Sequence, residues 1–200
     1  APLDDLAGGG TASLAITIGS SGLPAEPILF DFDISSAAIS LLVADGWAAG
    51  PGEDIPIAEV RALVQCTGCD AGATWFYQAQ FASYNSDVQI GFQDSLDFFD
   101  PQGIGKPTWN VNNAQVGNAS ASLAAPFLGQ LALGTLSPEE TFVVMYTVHA
   151  RAYVGVYNDM LEPLPPPDEP KVAASASLTD PFGVDHIYIN DQPLSSFVPE

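Results

Sequence analysis

The feature that most constrains the fold of this chain is a period-two alternation of apolar and polar residues. Successive side chains of a β-strand point to opposite faces, so this period is typical of strands with one buried face. Glycine and proline fall mainly between the alternating runs, where they favour turns. The pattern predicts about nine strands and an all-β fold, an antiparallel β-sandwich of the jelly-roll or immunoglobulin-like kind. The clearest runs are 11–18, 28–34, 58–65, 74–81, 88–92, 142–156, 172–178 and 187–189.

The chain has 200 residues, a length at which an all-β protein often stays a single domain. Residues 1–10 include three consecutive glycines, and we expect them to form a flexible leader. Residues 11–200 then form one sandwich domain. Within it, residues 162–170 contain three consecutive prolines, which cannot donate ladder hydrogen bonds. This composition predicts an extended polyproline segment.

Two other stretches lie beside predicted strands. Residues 34–43 alternate less clearly, and both a strand and a short helix fit them. Residues 137–140, Ser-Pro-Glu-Glu, have the form of a helix capping box, but β-branched residues with period two follow them. We therefore expect a turn at 137–140 that leads into the longest strand.

The charge balance excludes several classes of partner. The chain carries 24 acidic residues and four basic ones, for a net charge of −20. Such a chain repels nucleic acid and anionic lipid, and the four bases are too scattered in the sequence to indicate a basic patch. No apolar run approaches the roughly 20 residues that a transmembrane helix needs. We expect no nucleic-acid partner and no membrane association of the mature form. The bases are Arg61, Lys106, Arg151 and Lys171.

The composition also indicates a compartment. Lysine is scarce, small polar residues are common, and the chain starts at Ala1 without a methionine. These features predict a processed chain that is secreted and extracellular.

Cys66 and Cys69 are the only cysteines. Strand-like alternation flanks them on both sides, so a tight turn at Thr67-Gly68 would bring their Cα atoms within disulfide reach. We expect a structural disulfide, which implies an oxidising compartment. The alternatives are a redox-active pair, which needs a helix start to lower a thiol pKa, and half of a metal site.

A second constellation is acidic. Asp94, Asp97 and Asp100 recur every three residues, and carboxylate-rich loops of this kind bind Ca²⁺. They form the candidate metal site, with Ca²⁺ as the candidate cofactor, and solvated acidic surface is the alternative. His149 and His186 are the only histidines, and no nucleophile or ligand spacing accompanies them. We assign no catalytic residue and expect no enzymatic activity.

The first predicted strand is also a candidate for assembly. Leu14, Ile16 and Ile18 share one face of this strand, which follows the glycine-rich leader. A strand that its own domain holds weakly can complete the sheet of a neighbouring copy. The segment after the proline run is the other candidate donor. The alternative for residues 11–18 is that they form the first strand of their own sandwich.

The end of the chain, Ser195-Ser-Phe-Val-Pro-Glu200, resembles the sorting motif of PEP-CTERM proteins. In that class Val-Pro-Glu-Pro precedes a hydrophobic helix and basic residues, and an exosortase is thought to process the tail. The stretches 136–142 and 174–182 are similar to the class as well. The resemblance implies a secreted protein of the cell surface or biofilm matrix of a Gram-negative bacterium, and it implies no chemistry.

Together these observations favour a secreted structural protein that assembles with itself into a filament or layer by strand donation. A glycan- or surface-binding module is the first alternative, because exposed tryptophans stack on sugars. The candidates are Trp47, Trp75 and Trp109, although the alternation favours core packing for Trp75. A jelly-roll capsid protein of a halophilic virus is the second alternative, indicated by few lysines and many aspartates.

Overall fold

The computed structural model describes residues 6–19, 26–43, 56–70, 72–84, 89–94, 97–112, 117–154, 172–179, 188–189 and 192–193. Every regular element within these ranges is a β-strand, and fourteen strands are present there. They are β1 (Leu6–Gly19), β2 (Glu26–Ile34), β3 (Ser36–Val43), β4 (Ile57–Thr67), β5 (Thr74–Tyr84), β6 (Gln89–Gln93), β7 (Phe98–Phe99), β8 (Trp109–Asn112), β9 (Gly117–Leu123), β10 (Phe127–Leu136), β11 (Thr141–Val154), β12 (Val172–Thr179), β13 (Tyr188–Ile189) and β14 (Gln192–Pro193).

The strands form one large sheet and two smaller ones. The large sheet has the order β1-β11-β4-β5-β6, and β7 also pairs with β5. The smaller sheets have the orders β10-β2-β13-β14 and β12-β3-β9-β8, and every pairing is antiparallel. Only Ser35 separates β2 from β3, so the chain passes directly from one small sheet into the other. The prediction of an all-β antiparallel sandwich is confirmed.

The core lies between the large sheet and the two smaller ones. Phe32 of β2 reaches across this space to Trp75 of β5, with ring centroids 5.1 Å apart, and to Tyr146 of β11. The ring of Phe127 of β10 also stacks on the Trp75 ring, with centroids 5.3 Å apart. The alternating apolar residues thus meet at the centre, where their burial supplies the main driving force for folding.

The structure has more strands than the predicted nine, and two of the additional strands, β10 and β9, lack a clear alternation for local reasons. In β10, Gly129 and a register shift between Ala132 and Gly134 interrupt the alternation of apolar residues. In β9, the buried side chains are the small residues Ala119 and Ala121, which give a weak hydrophobic signal. The ambiguous stretch at 34–43 contains strand β3.

Strand β1 begins at Leu6, earlier than the alternation predicts. Residues 6–10, expected within the flexible leader, pair with residues 150–154 of β11. The long strand β11 offers a ladder partner to every residue of β1, and the register runs without a shift from Leu6 to Gly19. Residues 1–5 and the predicted polyproline segment 162–170 lie outside the described residues.

The turn predicted at 137–140 is confirmed between β10 and β11. The Glu140 amide donates to the Ser137 carbonyl at 3.1 Å, and the Ser137 amide donates to Glu140 Oε2 at 2.9 Å. The two bonds close the turn that directs the chain into β11.

Candidate functional site

The pairing of β4 with its two neighbours brings together charged residues that are far apart in the sequence. His149 of β11 lies opposite Arg61 of β4, and Arg151 of β11 lies opposite Glu59. On the other side of β4, Gln78 of β5 lies opposite Arg61. All five side chains belong to the face of the large sheet that points away from the core. We call them the Glu59 cluster.

Glu59 is the centre of this cluster and is almost completely buried, at 2% exposure. Its Oε2 accepts hydrogen bonds from an Arg61 guanidinium nitrogen at 3.1 Å and from Gln78 Nε2 at 3.2 Å. Its Oε1 lies 3.8 Å from His149 Nδ1 and 3.9 Å from the nearest Arg151 nitrogen. A buried carboxylate needs such partners, because moving an unpaired ion from water into a protein interior costs roughly several kcal/mol.

The cluster continues across the sheet as a row of glutamines. Gln78 Nε2 also lies 3.2 Å from Gln80 Oε1, and Gln80 Nε2 donates to Gln93 Oε1 at 3.2 Å. Gln78 and Gln80 are both buried. The row links β6, β5 and β4, so the position of Glu59 is fixed by hydrogen bonds as well as by the backbone ladder.

Among the described residues, the hydrogen bonds of the cluster are incomplete. Glu59 Oε1, Arg61 Nε and His149 Nδ1 are buried atoms without a hydrogen-bond partner in the described part of the chain. Buried polar atoms are satisfied in the great majority of cases, so three exceptions around one carboxylate distinguish this place. Arg151 instead lies over the ring of Tyr153, 5.4 Å from its centroid, in a cation–π contact.

The expectation that the bases are too scattered for a patch is therefore corrected. Arg61 and Arg151 are two of the four bases of the chain. Arg61 follows Glu59 on the same face of β4, and the β4–β11 register places Arg151 opposite Glu59. The signal in the sequence was the polar face of two alternating strands, Glu59-x-Arg61 and His149-x-Arg151. The register that aligns them is a long-range property that period-two patterns do not specify.

The two cysteines lie at disulfide distance, with Cα atoms 5.7 Å apart. The expected two-residue turn is a longer loop, because β4 ends at Thr67 and β5 begins only at Thr74. Gly68 adopts a φ of 86°, which glycine tolerates without strain. The Asp70 amide donates to the Leu133 carbonyl of β10 at 3.0 Å, so the loop also contacts a small sheet. The cysteine pair fixes the tip of this hairpin.

The structure does not bring Asp94, Asp97 and Asp100 together as a cation site. Asp94 forms an ion pair with Lys106 at 2.8 Å. Both carboxylate oxygens of Asp100 accept backbone amides, from Ile104 at 2.9 Å and Gly105 at 2.7 Å. Asp94 thus pairs with a base and Asp100 holds a loop. The described residues contain no group of three or more His, Cys, Asp or Glu side chains that could hold a metal ion.

The tryptophans that were candidates for sugar stacking have different positions. Trp75 is fully buried, and its indole nitrogen donates to the Gly105 carbonyl at 3.0 Å. Trp109 is half-buried against Phe92 and donates to the Tyr77 hydroxyl at 2.6 Å. Trp47 lies outside the described residues, as does His186. Trp75 therefore offers no face to a ligand.

Burial raises the pKa of the Tyr77 phenol, against the opposing effect of the hydrogen bond from Trp109. The folded chain then holds this proton to higher pH than the unfolded chain does. The resulting stabilisation is fully present below about pH 10, the ordinary value for tyrosine, and is lost as the pH rises further.

Replacing Tyr77 with phenylalanine is expected to have two opposite consequences. At neutral pH the free energy of unfolding falls by about 1 kcal/mol, because the Trp109 indole loses its acceptor. Above about pH 10 the parent loses stability more steeply than the variant, because only the parent has this phenol. Urea unfolding at neutral and alkaline pH measures both effects. If the free energy of unfolding falls equally in both proteins above about pH 10, the raised pKa of Tyr77 is contradicted.

A shallow concavity marks the outer face of the sheet β12-β3-β9-β8. It has a volume of about 480 Å³. Ser40 and Ser175 share a hydrogen bond of 2.7 Å within it. The other polar residues at its surface are Ser120, Ser122, Asn110 and Asn112. This face presents hydroxyl and amide groups rather than aromatic rings.

The candidate assembly residues lie in an edge strand. Ile16 and Ile18 are buried and Leu14 is half-buried, while β1 has β11 as its single partner in the described sheet. In this structure the strand completes the sandwich of its own chain.

The part of the chain that the structure describes holds no helix that is long and apolar enough to cross a membrane. Comparison with protein-family models, curated proteins and solved structures finds no match for this chain.

Proposed function

We propose that this chain is a secreted structural subunit that assembles with copies of itself by donating strand β1. The observation that carries the proposal is the pairing of β1. All of its residues, from Leu6 to Gly19, pair with one strand, β11, in an unbroken register. A second copy presents the same β11, so β1 fits there with the same ladder and the same burial of Ile16 and Ile18. Exchange of an identical element costs little in contacts and is a common route to assembly.

The chemistry of β1 supports this role. Residues 6–19 contain no charged side chain and no proline. Natural edge strands are usually protected from pairing by such residues or by bulges, and β1 has none of these devices. The cysteine pair at disulfide distance supports an oxidising, extracellular location, as does the resemblance of the chain end to PEP-CTERM proteins.

A reversible disulfide between β1 and β11 tests strand donation. Ala15 and Met145 are exposed and directly opposite each other. Opposite residues of an antiparallel pair have Cα atoms about 4.5 to 5.5 Å apart, within disulfide range. The double variant Ala15→Cys/Met145→Cys, oxidised as a dilute monomer, is expected to remain monomeric in sedimentation velocity and electron microscopy. After reduction it should assemble like the parent.

The parent with and without reductant is the control, because it reports any effect of reducing Cys66 and Cys69. If the variant is assembled first and oxidised afterwards, the new disulfide should link different chains. Full assembly of the variant oxidised as a monomer would contradict strand donation. A parent that stays monomeric at every concentration, with and without divalent cations, would contradict self-assembly altogether.

Glycan binding is the second candidate function. The concavity beside Ser40 favours it, since it presents serine and asparagine side chains that can hydrogen-bond to sugar hydroxyls. A chain with this function stays monomeric in both states of the Ala15→Cys/Met145→Cys variant and gains mass only when polysaccharide is added.

A further inference from the structure

We infer that the Glu59 cluster is a docking site for carboxylates of a second copy of this chain, an inference that rests on the self-assembly proposed above. The site consists of the two guanidinium groups of Arg61 and Arg151, held at the surface by the buried carboxylate of Glu59. Its occupant is an acidic segment of the neighbouring subunit.

The first argument is the local charge. Two guanidinium groups surround one carboxylate, so the cluster carries a positive surplus within a chain of net charge −20. Lys106, the other base within the described residues, is already paired with Asp94 at 2.8 Å. Arginine side chains prefer carboxylates that they can contact through two hydrogen bonds at once. The surplus therefore selects an acidic ligand.

The second argument is unused hydrogen-bonding capacity. A guanidinium has five N–H donors. Arg61 gives one terminal guanidinium nitrogen to Glu59, and its Nε is buried, so a ligand from outside can reach only its terminal nitrogens. Arg151 comes no closer to Glu59 than 3.9 Å, which is beyond hydrogen-bond distance. Their side chains are 42% and 44% exposed, so both arginines reach the surface.

The third argument is that the site is built in advance. Glu59 is buried, and the hydrogen bond from Gln78, the first residue of the glutamine row, fixes its Oε2. The tyrosine ring below Arg151 restricts that guanidinium as well. Arginines held in this way lose less conformational entropy when a ligand binds, which favours binding.

The fourth argument identifies the occupant as a second copy. Arg151 lies opposite Gly9 of β1, and His149 lies opposite Thr11. Only small residues therefore separate the cluster from the edge of the sheet, where a neighbour joined through β1 would lie. Neighbouring subunits each carry an excess of 20 negative charges, and their repulsion acts over about 8 Å at physiological salt. Contact between this site and a neighbour's carboxylates offsets part of that repulsion.

The experiment compares two substitutions that remove the same charge. Arg151→Gln removes a base inside the cluster, and Lys106→Gln removes one outside it. We expect Arg151→Gln to raise the protein concentration at half-assembly about tenfold, as measured by sedimentation velocity, and to weaken its salt dependence. Lys106→Gln should change that concentration less than twofold. Circular dichroism and melting curves confirm that both variants fold, as expected for side chains with large exposed fractions.

A second measurement uses the protein below its assembly concentration. The probe is a short capped oligo-aspartate peptide, with a matched oligo-asparagine peptide as its control. The acidic peptide should shift the NMR signals of the Arg61 and Arg151 side chains, and the matched peptide should not. Shifts produced equally by sulfate would identify a general anion site and overturn the specific assignment to a neighbouring chain.

The outcomes separate this inference from the proposed function. If the oxidised Ala15→Cys/Met145→Cys variant stays monomeric while Arg151→Gln and Lys106→Gln weaken assembly equally, strand donation stands and the docking site is overturned. If the oxidised variant assembles fully while Arg151→Gln weakens assembly and Lys106→Gln does not, the docking site stands and strand donation is wrong.

Discussion

Replacing Trp75 with alanine is expected to lower the free energy of unfolding by about 4 kcal/mol, among the largest effects of a single core substitution. The indole is completely buried between the sheets. Its ring lies 5.1 Å from that of Phe32 and 5.3 Å from that of Phe127. Truncation leaves a cavity that these two rings, which belong to different strands, cannot fill without moving β2 and β10.

Chemical denaturation of the variant measures this loss, and Trp75→Phe is the matched control. Phenylalanine keeps a ring in the stack but leaves the Gly105 carbonyl without its indole donor, at an expected cost of about 1 to 2 kcal/mol. The difference between the two variants separates packing from hydrogen bonding. A loss below about 1 kcal/mol for the alanine variant would contradict the central position of this residue in the core.

Replacing Gly129 with alanine is expected to lower the free energy of unfolding by about 3 kcal/mol, through overpacking. Gly129 lies directly opposite Phe32 in the β10–β2 ladder. An added Cβ would lie 2.6 Å and 2.7 Å from the two Cε atoms of that ring. The ring is buried and packs against Trp75 and Tyr146, so moving it would disturb its contacts with both.

Gly10→Ala is the control for this substitution. Gly10 is also a strand glycine, but a Cβ there meets no atom within 4 Å. Its substitution should therefore change stability by less than about 1 kcal/mol. Combining Gly129→Ala with Phe32→Leu should cost less than the sum of the two single changes, because the smaller side chain makes room. Additive losses in this double-mutant cycle would show that the ring is not what excludes alanine.

The sequence predicts the fold class because a strand with one buried face has apolar residues at every second position. Residues 58–65 and 74–81 alternate regularly, and both runs are strands in the structure. Strand β10 lacks a clear alternation because the ring of Phe32 on β2 fills the core space at Gly129, where β10 has no side chain of its own. Such compensation between strands cannot be recognised from either strand alone.

The candidate site was harder to predict than the fold. The polar residues of the site can all be recognised on alternating strands: Glu59, Arg61, His149 and Arg151. However, His149 lies 88 positions after Arg61 in the sequence (149 − 61 = 88). Only the register of β4 against β11 makes them neighbours. Asp94 and Asp100 show the opposite case, since they are close in sequence but are used separately, one in an ion pair and the other as a loop cap.

The unbroken β1–β11 register also has a mechanical consequence. Hydrogen bonds of an antiparallel ladder lie perpendicular to the strands. If β1 links two subunits, a pull along the strand loads all 14 paired positions in shear at the same time. A pull across the strand would instead open the pairs one after another. A fibre joined in this way resists tension along its axis and yields to peeling, which is the behaviour that single-molecule pulling in the two directions would measure.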